Sequence, residues 1–210
     1  MKIAMIGATG NIGIQIAQQA AQRGHQVTAI SRRVSLPPEL SGLQAVQADV
    51  MDVPALAAAI GGHEVLVSAY GPGPESAATI PLVTQALVAA ARVAGVQRVV
   101  VVGGAGSLLV APGMQLVDTP NFPEMYKPYA LAHREALAVL QAAPDLEWTF
   151  FAPAAMIGPG ERQGEFRVGA DHLISDATGN SKISYADYAD AFVSELESAA
   201  HVRQVLTVAY

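Results

Sequence analysis

The stretch Gly7-Ala8-Thr9-Gly10-Asn11-Ile12-Gly13 decides the fold. It follows a short apolar run, Ile3-Ala4-Met5-Ile6, and opens an Ala- and Gln-rich segment of helical period over 11–23. A glycine-rich turn after a strand and before a helix is the setting in which free N–H groups at a helix start meet a dinucleotide pyrophosphate. Gly7 permits the tight turn, Gly10 leaves the backbone bare where an anion approaches, and Gly13 lets the helix lie close to the strand. Thr9, Asn11 and Ile12 complete the set that faces the phosphates.

Outward from this turn, apolar runs of strand length alternate with longer helical segments. Strands are predicted over 25–30, 43–47, 64–68, 97–102, 146–151 and 204–208, and helices over 79–94, 125–142 and 186–198, with one more begun by Asp52 and Pro54 and ended at Gly61-Gly62. Gly24 and Gly95 each stop a helix just before the chain re-enters the sheet, as left-handed C-terminal caps do. A run such as Val99-Val100-Val101-Val102 is apolar at every position, as expected of a strand covered by helices on both faces. The pattern is α/β: a doubly wound, mostly parallel sheet of about seven strands, with a small C-terminal substrate cap. No linker composition, charge block or repeat divides residues 1–210, so they read as one domain. Two stretches, 107–124 and 155–184, are long for connections and are expected to serve as binding loops beyond the strand ends.

Composition narrows the function. The 210 residues include no cysteine, which excludes disulfides, thiolate metal sites and a Cys nucleophile. A net charge of -6 argues against nucleic acid as a partner. No stretch approaches the ~20 apolar residues of a membrane helix. A cytoplasmic location fits the absence of cysteine. The histidines stand singly, without paired spacing, so no metal site is expected. The second strand ends Ala29-Ile30-Ser31-Arg32-Arg33, without the acid that usually receives the NAD ribose. Two guanidinium groups and a hydroxyl suit the 2′-phosphate of NADP instead, NAD being the weaker match.

The chain resembles the atypical short-chain dehydrogenase/reductases. The resemblance rests on the GATGxxG form of 7–13, on Asp49-Val50 at a strand end, and on Trp148-Thr149-Phe150-Phe151-Ala152-Pro153-Ala154. The runs Pro159-Gly160-Glu161-Arg162 and Ser181-Lys182-Ile183-Ser184-Tyr185-Ala186-Asp187-Tyr188-Ala189 are similar to those of the NADH-flavin reductase branch, which is akin to biliverdin reductase B. The resemblance implies a Rossmann sheet, a nicotinamide cofactor and hydride transfer to a flavin or another flat conjugated acceptor. It also implies that Asp49 and Val50 flank the adenine, that Ser68, Ala69, Tyr70 and Gly71 lie under the ribose and pyrophosphate, and that Pro153 and Ala154 border the nicotinamide.

Classical members of that superfamily use a Ser, a Tyr and a Lys four residues after the Tyr. The nearest match here is Tyr129-Ala130-Leu131-Ala132-His133, with Ser107 as the hydroxyl. Positions four apart share a helical face, but a neutral His lowers a phenol pKa less than an ammonium does. His133 is also a candidate partner for the nicotinamide ribose. Phe122, Tyr126, Phe151 and Phe166 are candidate pocket walls. A flavin or quinone delocalises the charge it receives and takes its proton from water, so a site without the Tyr and Lys pair points to such an acceptor. The expectation is therefore an NADPH-dependent reductase, monomeric or a small homo-oligomer, acting on a small planar acceptor that includes flavin. The alternatives are a non-catalytic sensor similar to NmrA-like regulators, and a sugar-nucleotide epimerase or dehydratase, the latter disfavoured by the missing Lys.

Overall fold

The computed structural model describes residues 1–73 and 76–210. The first half runs β1 (Lys2–Ile6), α1 (Asn11–Gln22), β2 (Gln26–Ser31), β3 (Gln44–Gln47), α2 (Val53–Ile60), β4 (Val65–Ser68), α3 (Thr79–Ala94) and β5 (Arg98–Val102). A short hairpin follows, β6 (Leu109–Ala111) and β7 (Met114–Gln115), and then α4 (Lys127–Gln141) and β8 (Glu147–Ala152). The chain closes with β9 (Met156–Gly158), β10 (Arg167–Gly169), β11 (Lys182–Ser184), α5 (Tyr185–Ser198) and β12 (Gln204–Ala209).

Eight strands form the central sheet in the order β10-β12-β8-β5-β4-β1-β2-β3. All neighbours are parallel except β10, which runs antiparallel to β12. From β1 the chain moves outward to β2 and β3, then returns past β1 to β4, which pairs with β1 on its other side. The two directions of winding therefore part between β1 and β4, and a crevice opens beyond their carboxyl ends.

Strand period two sends alternate side chains to opposite layers. Along β1, Ile3 and Met5 join Ile16, Val67, Val100, Phe151, Tyr188 and Phe192 beneath α1 and α5. Ala4 and Ile6 join Leu56, Leu66, Leu87, Val99, Val101, Leu140 and Phe150 beneath α2, α3 and α4. This explains why the central strands are apolar at every position: each large aliphatic or aromatic side chain removed from water contributes roughly 1.5–3 kcal/mol on one layer or the other. The helix stops at Gly24 and Gly95 adopt φ values of 82° and 71°, in the left-handed region.

The sheet has eight strands where about seven were expected, and the stretch 155–184 contains three strands in place of irregular chain. β10 adds the antiparallel edge, and β9 pairs in parallel with β11. Stretch 107–124 contains the β6–β7 hairpin, turned at Pro112-Gly113 with Gly113 at φ 73°. These strands are two or three residues long, too short for any alternation, and tertiary pairing alone makes them strands. The two loops are also joined. The Leu109 N–H donates to the Asp171 carbonyl at 2.8 Å, and the Leu173 N–H donates to the Leu109 carbonyl at 2.9 Å.

Candidate functional site

The glycine turn lies at the parting of the sheet. Gly7 has φ 76°, and a Cβ there would stand 2.4 Å from the Ala69 carbonyl oxygen, so the chain leaving β1 passes the chain leaving β4 with no room for a side chain. A Cβ on Gly13 would stand 2.0 Å from the Gly7 carbonyl oxygen, which is how closely the first turn of α1 rides on the loop. Gly10 differs: a Cβ there would meet only the Gly7 carbonyl, at 3.4 Å, so the protein interior does not require glycine at this place. As N-cap of α1, Gly10 offers no capping side chain, whereas Asp52 caps α2 and Ser184 caps α5. The N–H groups of Asn11, Ile12 and Gly13 thus have no side-chain acceptor among the described residues, and exposed Thr9, Gly10 and Asn11 border the opening. An open cradle with unsatisfied donors at the positive end of a helix fits a pyrophosphate.

Beyond β2, Thr9, Ser31, Arg32 and Arg33 line an open cleft of about 1010 Å³ together with Ser35, Leu36, Pro37 and Pro38. The Ser31 hydroxyl donates to the Arg33 carbonyl, and Gln47 donates to the Arg32 carbonyl at 3.2 Å, so the backbone of the arginine pair is tied down. Neither guanidinium has a carboxylate partner among the described residues. The wall formed by 35–38 was not foreseen from the sequence. Pro37-Pro38, a stiff segment just after the arginines, was the signal that could have shown it.

The remaining cofactor candidates line up along the carboxyl edge of the sheet. Asp49 follows β3, is exposed, and accepts the Met51 N–H at 2.9 Å; Val50 packs on the layer beneath α2. Ser68 ends β4, is buried, and accepts the Tyr70 N–H at 3.3 Å. The Thr79 hydroxyl donates to the Ser76 carbonyl at 2.7 Å, so the Tyr70 phenol, 3.0 Å away, is the donor to Thr79. Ala69 is half-buried and Gly71 exposed, while Pro153 and Ala154 are buried directly after β8.

The turn that carries Ser107 packs against α4, the helix that carries Tyr129 and His133. The 3-10 turn Ala105–Ser107 lies against α4 so closely that a Cβ on Gly106 would stand 2.5 Å from the Ala130 Cβ, and one on Gly104 would stand 2.9 Å from the His133 ring. Among the described residues the buried Ser107 hydroxyl has no partner, and neither has His133 Nδ1. The His133 ring meets Phe150 edge-on with centroids 6.3 Å apart, and burial lowers its pKa to about 4. It is a neutral imidazole at pH 7. The Tyr129 phenol donates to the Pro72 carbonyl, and burial together with the nearby Tyr70 phenol raises its pKa above the ordinary value. Among the described residues no cation lowers it.

Of the four aromatic wall candidates, Phe151 lies in the core instead, stacked on Phe192 at 5.5 Å and tilted against Tyr188 at 5.1 Å. Phe166 packs on the same cluster. Phe122 is half-buried and Tyr126 exposed, both just before α4. Asp187 has a role that its place at a helix start hides: its fully buried carboxylate accepts from the Gln163 and Gly164 N–H groups at 2.9 Å each, the Ser184 hydroxyl at 3.1 Å and the Tyr210 phenol at 2.7 Å. It anchors the second long loop to α5. Arg162, on the same loop, pairs with Asp190 at 2.7 Å.

Known proteins share this fold. A family described as NAD(P)H-binding matches residues 7–199. The chain is 40% identical to the uncharacterized protein YwnB of Bacillus subtilis, over 99% of this chain and 98% of that one. A solved structure of a Burkholderia pseudomallei protein described as exported is 57% identical with a TM-score of 0.94, covering 100% of this chain and 100% of that one. A Bacteroides thetaiotaomicron protein named as an epimerase is 36% identical with a TM-score of 0.90, covering 100% of this chain and 96% of that one. A Streptococcus pneumoniae protein named as an NADH-flavin reductase is 32% identical with a TM-score of 0.89, covering 100% and 99%. Among the described residues no helix is long and apolar enough to cross a membrane.

Proposed function

Since the chain belongs to the NAD(P)H-binding family, in its atypical short-chain dehydrogenase/reductase branch, we propose that it is an NADPH-dependent reductase that passes hydride to a flavin, quinone or similar planar acceptor. One contrast among the described residues carries this reading: Arg32 and Arg33 stand at the nucleotide end without a carboxylate partner, and at the other end Tyr129 and neutral His133 replace the Tyr and Lys pair. Arg32 and Arg33 would hold the 2′-phosphate, the Gly7–Gly13 turn the pyrophosphate, Asp49 and Val50 the adenine, Ser68 to Gly71 the adjoining sugar and phosphates, and Pro153 and Ala154 the nicotinamide. When bound, NADPH supplies a hydride, and an acceptor ring that receives it needs one further proton, giving NADP and the reduced ring.

The chain's own groups limit where that proton comes from. Tyr129 is engaged with the Pro72 carbonyl, and neutral His133 has no proton to spare near pH 7. Of these three groups Ser107 has a hydroxyl with no partner among the described residues, and we assign it the contact with the acceptor, with α4 packed against its turn. An acceptor that can be protonated from water is the one such a site serves, whereas a simple carbonyl needs an acid at its oxygen. The name of the Bacteroides protein keeps an epimerase in view, but the Lys that would sharpen the Tyr is His133 here. The NmrA-like sensor shares the nucleotide end and lacks turnover.

Titration of the protein with NADPH and NADH, followed by acceptor-driven oxidation, tests the proposal. Binding of NADPH at least tenfold tighter than NADH, about 1.4 kcal/mol, with oxidation stimulated by riboflavin or a quinone, supports it. Tight binding with no oxidation by any acceptor sinks it in favour of the sensor. The reading also places the protein in the cytoplasm, where the reduced nucleotide is regenerated. The Burkholderia protein's description as exported points the other way, and cell fractionation decides.

A further inference from the structure

The hydroxyl assigned to the acceptor sits on a segment with little rigidity of its own. Ser107 closes a single 3-10 turn, its N–H donating to the Gly104 carbonyl at 3.2 Å and the Leu108 N–H donating to the Ala105 carbonyl at 3.0 Å. Residues 104 and 106 of this segment are glycines, which give a chain the most conformational freedom to lose. The Ser107 side chain adds no bond to the protein among the described residues. What fixes the hydroxyl in space therefore lies outside the turn.

The turn is held between two walls. One is α4, where a Cβ on Gly106 would stand 2.5 Å from the Ala130 Cβ and one on Gly104 would stand 2.9 Å from the His133 ring. The other is a second 3-10 turn, Leu116–Asp118. Its buried Val117 lies 3.4 Å from that same Gly106 Cβ position, and its Leu116 N–H donates to the Leu108 carbonyl at 2.8 Å. Apolar packing is non-directional, but a charge-assisted bond joins wall to wall: Arg134 donates to the Asp118 carboxylate at 2.6 Å. Ala130, His133 and Arg134 are spaced i, i+3 and i+4, so Arg134 leaves α4 on the face that carries the Ser107 turn. The pair is partly exposed, yet the Arg134 Nε is shut off from water with no partner among the described residues. A guanidinium seated this deep carries the cost of an unmade hydrogen bond, and the bond to Asp118 is what it gains.

We propose that Arg134, through Asp118, is a positioning residue for the acceptor: it clamps the Leu116–Asp118 turn to α4 and so holds the Ser107 hydroxyl where the ring meets it. The inference rests on the acceptor contact assigned to Ser107 and goes beyond it in naming the pair that sets where that hydroxyl stands. Neither charged side chain has to touch the ring. Any loss on breaking the pair passes through Ser107, and this separates positioning from general support of the fold.

A double-mutant cycle on the full chain saturated with NADP tests this, with riboflavin as the probe, followed by flavin fluorescence. Arg134→Ala and Asp118→Asn are each expected to weaken riboflavin binding by about threefold or more, and Arg134→Lys to recover part of the loss. In the Ser107→Ala background, Arg134→Ala should add less than about 1.5-fold. Hydrogen exchange should quicken at residues 104–108 and not in β5, NADPH affinity should stay within about twofold, and the melting temperature should fall by less than about 3 °C, as for a partly exposed ion pair. With NADPH as donor, KM for riboflavin should rise while kcat stays within about twofold. Additive losses in the cycle, or unchanged exchange at 104–108, overturn the inference alone. An unchanged affinity in Ser107→Ala, or no binding of riboflavin by the parent chain, overturns it together with the acceptor contact of Ser107. If the cycle shows coupling but no acceptor draws oxidation of NADPH, the positioning role stands and the reductase reading falls.

Discussion

The phenol of Tyr129 donates a hydrogen bond to the carbonyl oxygen of Pro72, tying α4 to the segment that leaves β4. A phenol so placed holds two elements together at the mouth of the site, with its proton already committed. Removing that hydroxyl should cost about 1 kcal/mol of stability, the usual net worth of one such bond. Tyr129→Phe is therefore expected to keep its rate of flavin or quinone reduction within about twofold, whereas Ser107→Ala should raise KM for the acceptor several-fold. Steady-state kinetics on both variants decide, and a hundredfold fall for Tyr129→Phe would make it a proton donor after all.

The three glycines of the nucleotide turn should respond differently to a methyl group. Gly13→Ala puts a Cβ 2.0 Å from the Gly7 carbonyl and is expected to destabilise the protein by about 2–4 kcal/mol. Gly10→Ala meets only an ordinary contact at 3.4 Å, so its melting temperature should scarcely move while NADPH affinity falls at least tenfold. Thermal denaturation paired with nucleotide titration separates the two.

Arg32→Ala and Arg33→Ala should each weaken NADPH binding by about tenfold, near 1.4 kcal/mol, and leave NADH binding unchanged. The salt dependence of NADPH affinity should flatten in the same variants, because the lost contacts are the charged ones. Equal losses for both nucleotides would move the arginines away from the 2′-phosphate.

His133 predicts a pH dependence with a definite sign. Its folded pKa of about 4 lies below the unfolded value of about 6.5, so the unfolded chain binds the proton first as pH falls. Stability is unaffected by this group above roughly pH 6.5 and declines from there to pH 4, by at most about 3 kcal/mol. Urea denaturation of His133→Phe across that window should show a flatter profile, and the reductase rate should show no break near pH 6.5 attributable to this ring.

Asp187 should act in the opposite range. Burial pushes its carboxyl up, but the Gln163 N–H, the Tyr210 phenol, the Gly164 N–H and the Ser184 hydroxyl outweigh that and hold it below its ordinary value. A folded pKa below the unfolded one gives stability that is present above about pH 4 and is lost as pH falls through the folded pKa. Asp187→Asn, which presents an amide to N–H groups that need an acceptor, is expected to cost about 2–4 kcal/mol at neutral pH. The difference from the parent chain should shrink in acid, and loop 159–164 should become protease-sensitive.

Much of this protein is legible in its sequence because the governing interactions are local. The strand, glycine turn and helix over 2–22 declare themselves through residues adjacent in the chain, as do the left-handed stops at Gly24 and Gly95 and the acid-free strand end at Ser31, Arg32 and Arg33. The order of the eight strands, the short strands β6, β7, β9, β10 and β11, and the joining of the two long loops at Leu109 depend on partners far along the chain. So do the roles of particular side chains. Tyr129 and His133 share a helical face as their spacing requires, yet the carbonyl of Pro72 takes the phenol proton and burial against Phe150 keeps the imidazole neutral. Asp187 looks like a helix-start carboxylate and proves to be a buried anchor for a loop more than twenty residues earlier. Spacing sets which residues lie on one face; desolvation and hydrogen-bond partners, which set protonation and reactivity, come into being only when distant segments pack.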